Sequence, residues 1–248
     1  MRLFEKISAI EPFPALYLED LNMIAIADIH LGYETISSEH GVFVPRVQLE
    51  KSLHVMRGII NKRKADRIII VGDLKHEFSK TSYHEYKEVS SFLDFLSVHF
   101  KEVIIVRGNH DTFIQRIARK YDALVYDEFA EENYLLLHGH KDVDIRKKEQ
   151  STIILAHEHP SIALFTEVGV KEKLNCFLYG HTHGKNIVVL PAFSYFAEGS
   201  DINLIPKEEL LSPLLRKIDV DNLKVLGIVE NDRFLEFPSV GNLRRLYE

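Results

Sequence analysis

The stretch "MIAIADIHLGYE", residues 23–34, decides the predicted fold of this chain. Residues 23–27 form an apolar run without alternating polar positions, which is typical of a β-strand buried on both faces. The run ends abruptly in Asp28 and His30, two side chains that lose hydration when they enter a protein interior. A buried strand that ends in a carboxylate and an imidazole therefore indicates a polar site at its carboxyl end.

Short apolar runs of the same kind recur along the chain and alternate with helix-like stretches. The further runs occupy residues 67–71, 103–106, 134–137 and 152–156. Apolar residues recur at helical spacing in residues 46–64 and 82–100, which lie between the first three runs. Strands that alternate with helices of this length predict a layered α/β domain with crossover connections.

The last third of the chain has strand-like runs with no helix between them. Residues 161–165, 174–179 and 187–190 predict an antiparallel meander, and residues 222–237 predict a hairpin with its turn at 230–232. With 248 residues, 46% of them hydrophobic, the chain has enough apolar material for one large core. We predict a single domain over residues 1–248, with two packed sheets flanked by helices.

Charge and cysteine content limit the partners and the compartment. The 31 basic and 37 acidic residues give a formal net charge of -6, so no global charge attracts a polyanion. A local basic cluster is either a nucleic-acid contact or a solvated helix face; its members are Arg57, Lys62, Arg63, Lys64 and Arg67. The single Cys176 excludes an internal disulfide and fits a reducing compartment. Without a signal peptide or a membrane-length apolar run, we expect a cytoplasmic protein with no membrane association.

All five apolar runs are followed by residues that can ligate metals. These residues are Asp28 and His30, Asp73, Asn109 with His110 and Asp111, His138 with His140, and His157 with Glu158 and His159. Because ligand sites in α/β sheets gather outside the carboxyl ends of the strands, the five segments can converge on one place. Carboxylate, amide and imidazole ligands suit Mn²⁺, Fe²⁺, Zn²⁺ or Ni²⁺ better than Ca²⁺. The lack of thiolate ligands favours an open catalytic site over a structural zinc.

The backbone of these segments carries its own predictions. If the chain stays extended after the first run, Asp28 and His30 point the same way while Ile29 turns into the core. Gly72 and Gly108 allow sharp turns before the next side chains. Any one of the polar residues alone is more simply a helix cap or a satisfied buried group. Five coincident cases favour a metal, because burying so many ionisable groups without one costs several kcal/mol each.

The motifs "ADIHLGYE", "GDLKHEF", "RGNHD" and "HEHPSI" resemble those of the calcineurin-like metallophosphoesterase superfamily over residues 24–190. More narrowly, they are similar to a prokaryotic group of small single-domain phosphoesterases, some of whose bacterial relatives are associated with a DNA ligase and a helicase in DNA repair. The resemblance implies a four-layer α/β/β/α sandwich of two mixed sheets flanked by helices. It also implies two divalent transition-metal ions between the sheet edges, with manganese the first choice and iron, zinc or nickel the alternatives.

The resemblance also assigns roles to residues. The implied metal ligands are Asp28, His30, Asp73, Asn109, His138, His157 and His159. In this assignment Asp73 bridges both ions, and the last two histidines give one imidazole to each. His110 is implied to act on the scissile phosphate or the leaving oxygen, held in place by Asp111.

A second His-x-His segment competes for the last two ligand positions. The letters "GHTHG", with His181 and His183, match the superfamily better, but residues 180–185 lie between two short strands like a hairpin turn. His157 and His159 follow an apolar run directly, as the earlier motifs do, although Ala156 stands where the motif usually has glycine. We prefer His157 and His159 and leave the alternative open.

Together these features predict hydrolysis of a phosphate ester by in-line attack of a hydroxide shared by the two metals. A phosphodiester, either a nucleotide or a nucleic acid, is favoured by the DNA-repair association alone. The alternatives are a phosphomonoesterase and a metal-bound scaffold subunit with little turnover. The presence of His110 favours catalysis, because scaffolding members tend to lose it.

Several smaller questions stay open at the sequence level. Lys75 could contact a phosphate oxygen, and His76 and His140 have no assigned role. Residues 191–196, "PAFSYF", are apolar enough for a homodimer contact, although core is their commoner fate. Repair proteins are partners by analogy only.

Overall fold

A computed structural model describes residues 1–79, 81–167, 169–197 and 199–246. The strands are β1 (Arg2–Phe4), β2 (Ile7–Ala9), β3 (Leu16–Leu18), β4 (Met23–Ile26), β5 (Arg67–Val71), β6 (Glu102–Val106), β7 (Leu124–Tyr126), β8 (Phe129–Glu131), β9 (Tyr134–Leu137), β10 (Thr152–Leu155), β11 (Pro160–Phe165), β12 (Lys171–Thr182), β13 (Lys185–Val189), β14 (Ser200–Asp201), β15 (Lys224–Ile228) and β16 (Phe234–Ser239). The α-helices are α1 (Tyr33–Glu39), α2 (Gln48–Lys62), α3 (Tyr83–His99), α4 (Ile114–Ala118), α5 (Pro213–Lys217) and α6 (Val240–Arg244).

The first sheet follows the chain, in the order β1-β2-β3-β4-β5-β6-β7. Its first three pairings are antiparallel, and β4 to β7 are parallel. Helices α2 and α3 make the crossovers from β4 to β5 and from β5 to β6, as the alternation of apolar runs predicts. The three short N-terminal strands were not predicted, because three residues are too few to show a period.

The second sheet has the order β14-β11-β12-β13-β10-β9-β8, and the hairpin of β15 and β16 joins it at β12. Strands β9, β10 and β13 run parallel, whereas β11, β12 and β13 form the antiparallel meander expected for this region. The predicted hairpin is also present, and its turn includes Asn231 in a left-handed conformation at φ 60°.

The apolar runs are buried on both faces because each face packs against a different layer. Ala25 and Val71 lie in the core between the two sheets with Ile154 and Val188 of the second sheet. The alternate positions of the first sheet, such as Ile70, pack against α2 and α3. On the far side of the second sheet, the cover consists of the short α5 and α6 with neighbouring turns. The predicted four-layer α/β/β/α sandwich is confirmed, with a thin fourth layer.

An ion-pair cluster joins the two sheets where β5 begins. Both terminal nitrogens of Arg67 donate to the Glu131 carboxylate of the second sheet at 2.8 Å, and Arg67 Nε donates to Glu102 at 2.5 Å. The exposed residues 62–64 at the end of α2 lie just before the same strand. This part of the basic cluster is therefore at the opposite end of β5 from the carboxyl edge. Within the described ranges, no helix is long and apolar enough to cross a membrane.

Candidate metal centre

The polar residues that follow five strands meet at one rim of the molecule. Three groups each bring three metal-ligating atoms within 4.8 Å of one another. The two groups that contain a carboxylate are Asp28, His30 and His159, and Asp73, His138 and His157. The third group is His30, His76 and His110, which shares His30 with the first. The residues of the first two groups follow strands β4, β5, β9 and β10, and Asn109 follows β6. The five strands come from both sheets. The predicted convergence of separate segments is what the structure shows.

The first group is built around Asp28, which is fully buried. Nε2 of His159 lies 3.4 Å from Asp28 Oδ2 and 3.4 Å from Nε2 of His30. The other oxygen, Asp28 Oδ1, has no hydrogen-bond donor among the described residues. Nδ1 of His138 lies 3.6 Å from this oxygen, beyond hydrogen-bond distance, so a bound cation would offset the desolvation cost of burying it.

The second group centres on His138. Its Nε2 lies 3.2 Å from Asp73 Oδ2 and 3.0 Å from Asn109 Oδ1, and its Nδ1 lies 3.1 Å from the Val71 carbonyl oxygen. When Nδ1 donates to that carbonyl, Nε2 keeps the lone pair that a metal needs. Asp73 Oδ2 is also 3.9 Å from Nε2 of His30, so this carboxylate lies between the two groups.

The ligand loops are not extended, and here the sequence prediction is wrong. Strand β4 ends at Ile26, and Asp28 and His30 have left-handed backbones with φ of 54° and 52°. Ile29 is nevertheless buried between them, as expected. Asp73, His157 and His159 are left-handed as well, at φ of 51°, 69° and 47°. A left-handed backbone costs about 1–2 kcal/mol at each residue other than glycine, and residues in this conformation cluster at functional sites.

The two motif glycines make room for the side chains of candidate ligands. A Cβ on Gly72 would lie 2.1 Å from Nδ1 of His138, and its φ is +89°. A Cβ on Gly108 would lie 2.1 Å from Asp73 Oδ1, although Gly108 does not have a positive φ. The turn predicted at Gly72 is therefore present, whereas Gly108 is required for close approach alone.

The charges at the rim suit cations. Burial acts to raise the pKa of Asp73, but the hydrogen bond and charge of His138 outweigh it and hold that pKa below its usual value. Burial lowers the pKa of His30 to about 3 and that of His157 to about 4, so both imidazoles are neutral at pH 7. Burial also acts to lower the pKa of His138, yet hydrogen bonding to Asp73 and two carboxylate charges raise it to about 9. Burial likewise acts to lower the pKa of His159, but the charge and hydrogen bond of Asp28 raise it. The two groups thus combine ionised carboxylates with two imidazoles of lowered pKa and two of raised pKa.

His110 lies at the mouth of the rim, but Asp111 does not hold its ring. Nε2 of His110 is 3.8 Å from Asp73 Oδ2, and its Nδ1 contacts the carbonyl oxygen of His76. Asp111 is fully buried and accepts hydrogen bonds from the backbone N–H groups of Leu74 at 3.0 Å and Gly108 at 2.9 Å. This corrects the predicted contact: Asp111 ties two motif loops together instead of orienting the imidazole.

His76 is a site residue whose contacts sequence reasoning missed. Its Nδ1 lies 3.4 Å from Nδ1 of His30, on the side of that ring away from His159. Its ring is also stacked on that of His110, with centroids 5.4 Å apart. The motif "GDLKHEF" was the available signal, but it gave no indication of which group the imidazole would meet.

Lys75 contacts the loop that follows β5 and helix α3. The side chain is fully buried. Its Nζ contacts the Glu77 carbonyl oxygen and lies 4.0 Å from Glu85 Oε2. Glu85 Oε1 in turn accepts from the backbone N–H groups of His76 at 3.0 Å and Glu77 at 2.8 Å. The lysine therefore supports the loop and is not placed to contact a phosphate oxygen.

The two His-x-His segments lie in different places. His157 and His159 belong to the two groups at the rim. His181 and His183 are exposed, at the tip of the hairpin between β12 and β13, where the His181 ring lies 5.1 Å from that of Phe4. His140 is beside the rim, its ring 5.2 Å from that of His138.

Residues 191–196 stabilise the first motif. The N–H groups of Phe193 and Ser194 donate to the carbonyl oxygens of Ala27 at 2.8 Å and Asp28 at 3.0 Å. Residues 191–194 are buried, so the core alternative holds for them and they do not offer a homodimer surface.

Two mixed sheets that present clustered ligands at a shared rim define a metal-dependent phosphoesterase fold. The model of the calcineurin-like phosphoesterases matches residues 21–185, more than half of the sequence. The chain belongs to this family, as its motifs predict.

One solved structure with a TM-score above 0.5 supports the fold. Nuclease MPE from Pseudomonas putida is 19% identical, with a TM-score of 0.59 over 87% of this chain and 88% of that one. A metallophosphoesterase from Sphaerobacter thermophilus is 12% identical (TM-score 0.40; 91% and 93% covered), and Vacuolar Protein Sorting 29 from Cryptosporidium parvum is 13% identical (TM-score 0.41; 88% and 97% covered). A search of curated proteins by sequence found no match.

Proposed function

We propose that this protein is a dinuclear metal-dependent hydrolase of phosphodiesters. The observation that carries the proposal is the position of Asp73, whose Oδ2 lies 3.2 Å from one candidate ligand, His138 Nε2, and 3.9 Å from another, His30 Nε2. A carboxylate shared by two sets of ligands is what a pair of ions requires.

The donor atoms fit two divalent ions. In the proposed assignment, Asp28, His30 and His159 would hold one ion, Asn109, His138 and His157 would hold the other, and Asp73 would contribute to both. Oxygen and imidazole donors without thiolate suit manganese, with iron, zinc or nickel as alternatives. The buried Asp28 Oδ1, which lacks a hydrogen-bond donor within the described residues, supports a cation at this point.

The chain's own residues define where protons move. Bound divalent ions supply positive charge to the phosphoryl oxygens and lower the pKa of water to about 7. Because Nδ1 of His110 is held by the His76 carbonyl oxygen, only Nε2 faces the rim and can exchange a proton with the leaving oxygen. We assign that proton transfer, or a hydrogen bond to the phosphate in the transition state, to His110 Nε2.

A phosphodiester is the proposed substrate over a phosphomonoester. The similarity of the motifs to a group associated with DNA repair supports this choice. One structural relative, from Pseudomonas putida, is itself named a nuclease. Both supports are analogies, so the substrate class needs a direct test.

The test uses metal-depleted protein titrated with Mn²⁺ and assayed on bis-p-nitrophenyl phosphate and p-nitrophenyl phosphate. We expect hydrolysis that depends on Mn²⁺ and is faster for the diester. Asp73→Asn should reduce turnover by about a hundredfold or more, because charge placement supplies several kcal/mol to such reactions. His183→Ala, at the exposed hairpin tip, is the matched control and should leave turnover unchanged. Equal turnover of the Asp73→Asn variant and the unmodified protein would overturn the proposal.

A further inference from the structure

Aromatic rings continue the row of histidines at the rim in both directions. At one end, the Phe78 ring lies over His110 with centroids 3.5 Å apart and an angle of 33° between planes. At the other end, Tyr33 lies 5.0 Å from His76 and stacks on Phe196 at 5.1 Å and 13°. Tyr195 follows, 5.1 Å from Phe196. The neighbouring imidazoles of His110 and His76 are therefore flanked by exposed or half-buried aromatic rings on two sides.

These rings do not serve the core. Phe78 and Tyr195 have 52% and 51% of their surface exposed, whereas core aromatics such as Phe92 are fully buried. Single exposed rings are common on protein surfaces, but several exposed or half-buried rings in one row beside a candidate site form a surface that a ligand can cover. Flat ligands that stack on aromatic faces are the ones that such rings recognise.

A cation stands at the outer end of the row. Nζ of Lys51 lies 3.2 Å from the centroid of the Tyr195 ring. A base stacked on Tyr195 would bring its phosphate near this charge. The net charge of -6 provides no long-range attraction for a polyanion, so recognition would have to come from such local contacts.

We propose that Phe78 on one side and the Tyr33, Phe196 and Tyr195 rings on the other stack nucleobases that flank the scissile phosphate of a single-stranded nucleic acid. This inference rests on the proposed function and names its substrate class. Two stacking positions with the imidazoles of His110 and His76 between them fit a diester that carries a base on each side of the phosphate. A duplex offers no free base faces to these rings, because its bases are stacked on one another.

The experiment compares a short fluorescent oligothymidylate with an abasic strand of the same length and charge, and with the duplex. Binding is measured by fluorescence anisotropy on the Mn²⁺-loaded His110→Asn variant, so that turnover does not interfere, and cleavage is measured on the unmodified protein. We expect the base-bearing strand to bind about tenfold more tightly than the abasic strand, and more tightly than the duplex. Phe78→Ala and Tyr195→Ala, each added to the binding variant, should reduce that preference about fivefold or more.

Controls separate a local effect from misfolding. Phe165→Ala removes an aromatic ring that is also exposed but lies at the far end of β11, and it should leave the preference intact. Phe78→Leu keeps apolar bulk without a ring and should behave like Phe78→Ala, with unchanged thermal unfolding and Mn²⁺ stoichiometry. Equal binding of base-bearing and abasic strands, or a preference that survives both ring deletions, overturns the stacking proposal. Failure of the proposed function gives a different result, the absence of Mn²⁺-dependent hydrolysis of bis-p-nitrophenyl phosphate.

Discussion

The two His-x-His segments of this chain share a spacing and differ in everything around them. His157 and His159 follow a parallel strand, are left-handed, and lie among carboxylates. His183 is left-handed too, but it sits in an exposed hairpin turn, and His181 is exposed beside it. The difference shows that the position of a His-x-His segment in the fold decides whether it can form a site. At the carboxyl end of a parallel strand, loops from several segments meet and bring other candidate ligands close to the histidines. The hairpin tip has the same His-x-His spacing, but within the described residues its histidines belong to none of the groups of metal-ligating side chains.

The largest expected effect comes from deleting one imidazole of each segment. His159→Ala should lower Mn²⁺ stoichiometry from two ions towards one and reduce diester hydrolysis about a hundredfold or more, because an ion loses a donor. His183→Ala should keep both values. Equilibrium dialysis with metal analysis measures the stoichiometry. Loss of an ion in the hairpin variant instead would reverse the preference between the segments.

Glycine substitutions sharpen the same contrast through the backbone. Gly72→Ala puts a Cβ 2.1 Å from His138 Nδ1 at a φ of +89°, whereas Gly184→Ala at φ +74° meets no heavy atom within 4 Å. We expect Gly184→Ala to cost about 1–2 kcal/mol in the free energy of unfolding, the backbone strain alone. Gly72→Ala should cost about 3 kcal/mol or more, because strain and a displaced side chain add. Urea denaturation measures both, and equal costs would contradict the close approach of His138.

The residues between the paired histidines give a smaller effect. Glu158 is fully buried and its Oε2 accepts from the Ser212 N–H at 2.9 Å, whereas Thr182 is half-buried at the hairpin. Glu158→Ala leaves that buried donor without a partner and should destabilise the fold by about 1–3 kcal/mol. Thr182→Ala should stay within about 0.5 kcal/mol of the unmodified protein. Thermal unfolding compares them, and a larger loss at Thr182 would refute the expected order.

Much of the difference between the two His-x-His segments could be predicted from the sequence, because a strand that is buried on both faces is an uninterrupted run of apolar residues. The runs at 67–71 and 134–137 match β5 and β9 residue for residue. The start of α2 was predicted two residues early, because its first N–H groups are capped from a distance: Glu34 Oε1 accepts from Val47 and Gln48. No local pattern reports a cap from another segment.

The parts of the site that the sequence could not predict all depend on contacts between segments. The left-handed backbones at Asp28 and Asp73 are held by neighbouring loops: the Asp28 N–H donates to the Gly72 carbonyl oxygen at 3.0 Å, and the His30 N–H to that of Asp73 at 2.9 Å. Asp111 likewise found backbone partners in another motif. Residue type and position at a strand end predicted which residues assemble, and the loops decide how each side chain is aimed.

The smallest expected effect concerns His76. This residue marks one further difference between the rim and the hairpin, because at the rim a second imidazole lies next to Nδ1 of His30. His76 Nδ1 lies 3.4 Å from Nδ1 of His30, so it can accept a hydrogen bond from the N–H that His30 must carry on Nδ1 when Nε2 binds a metal. His76→Leu removes this acceptor and should weaken Mn²⁺ binding about tenfold. His76→Asn can place an oxygen near the same position and should restore most of the affinity. Calorimetric titration with Mn²⁺ measures the affinity of both variants. If the His76 ring only fills space, the leucine variant will bind Mn²⁺ as tightly as the unmodified protein, and the asparagine variant will bind it no more tightly than the leucine variant.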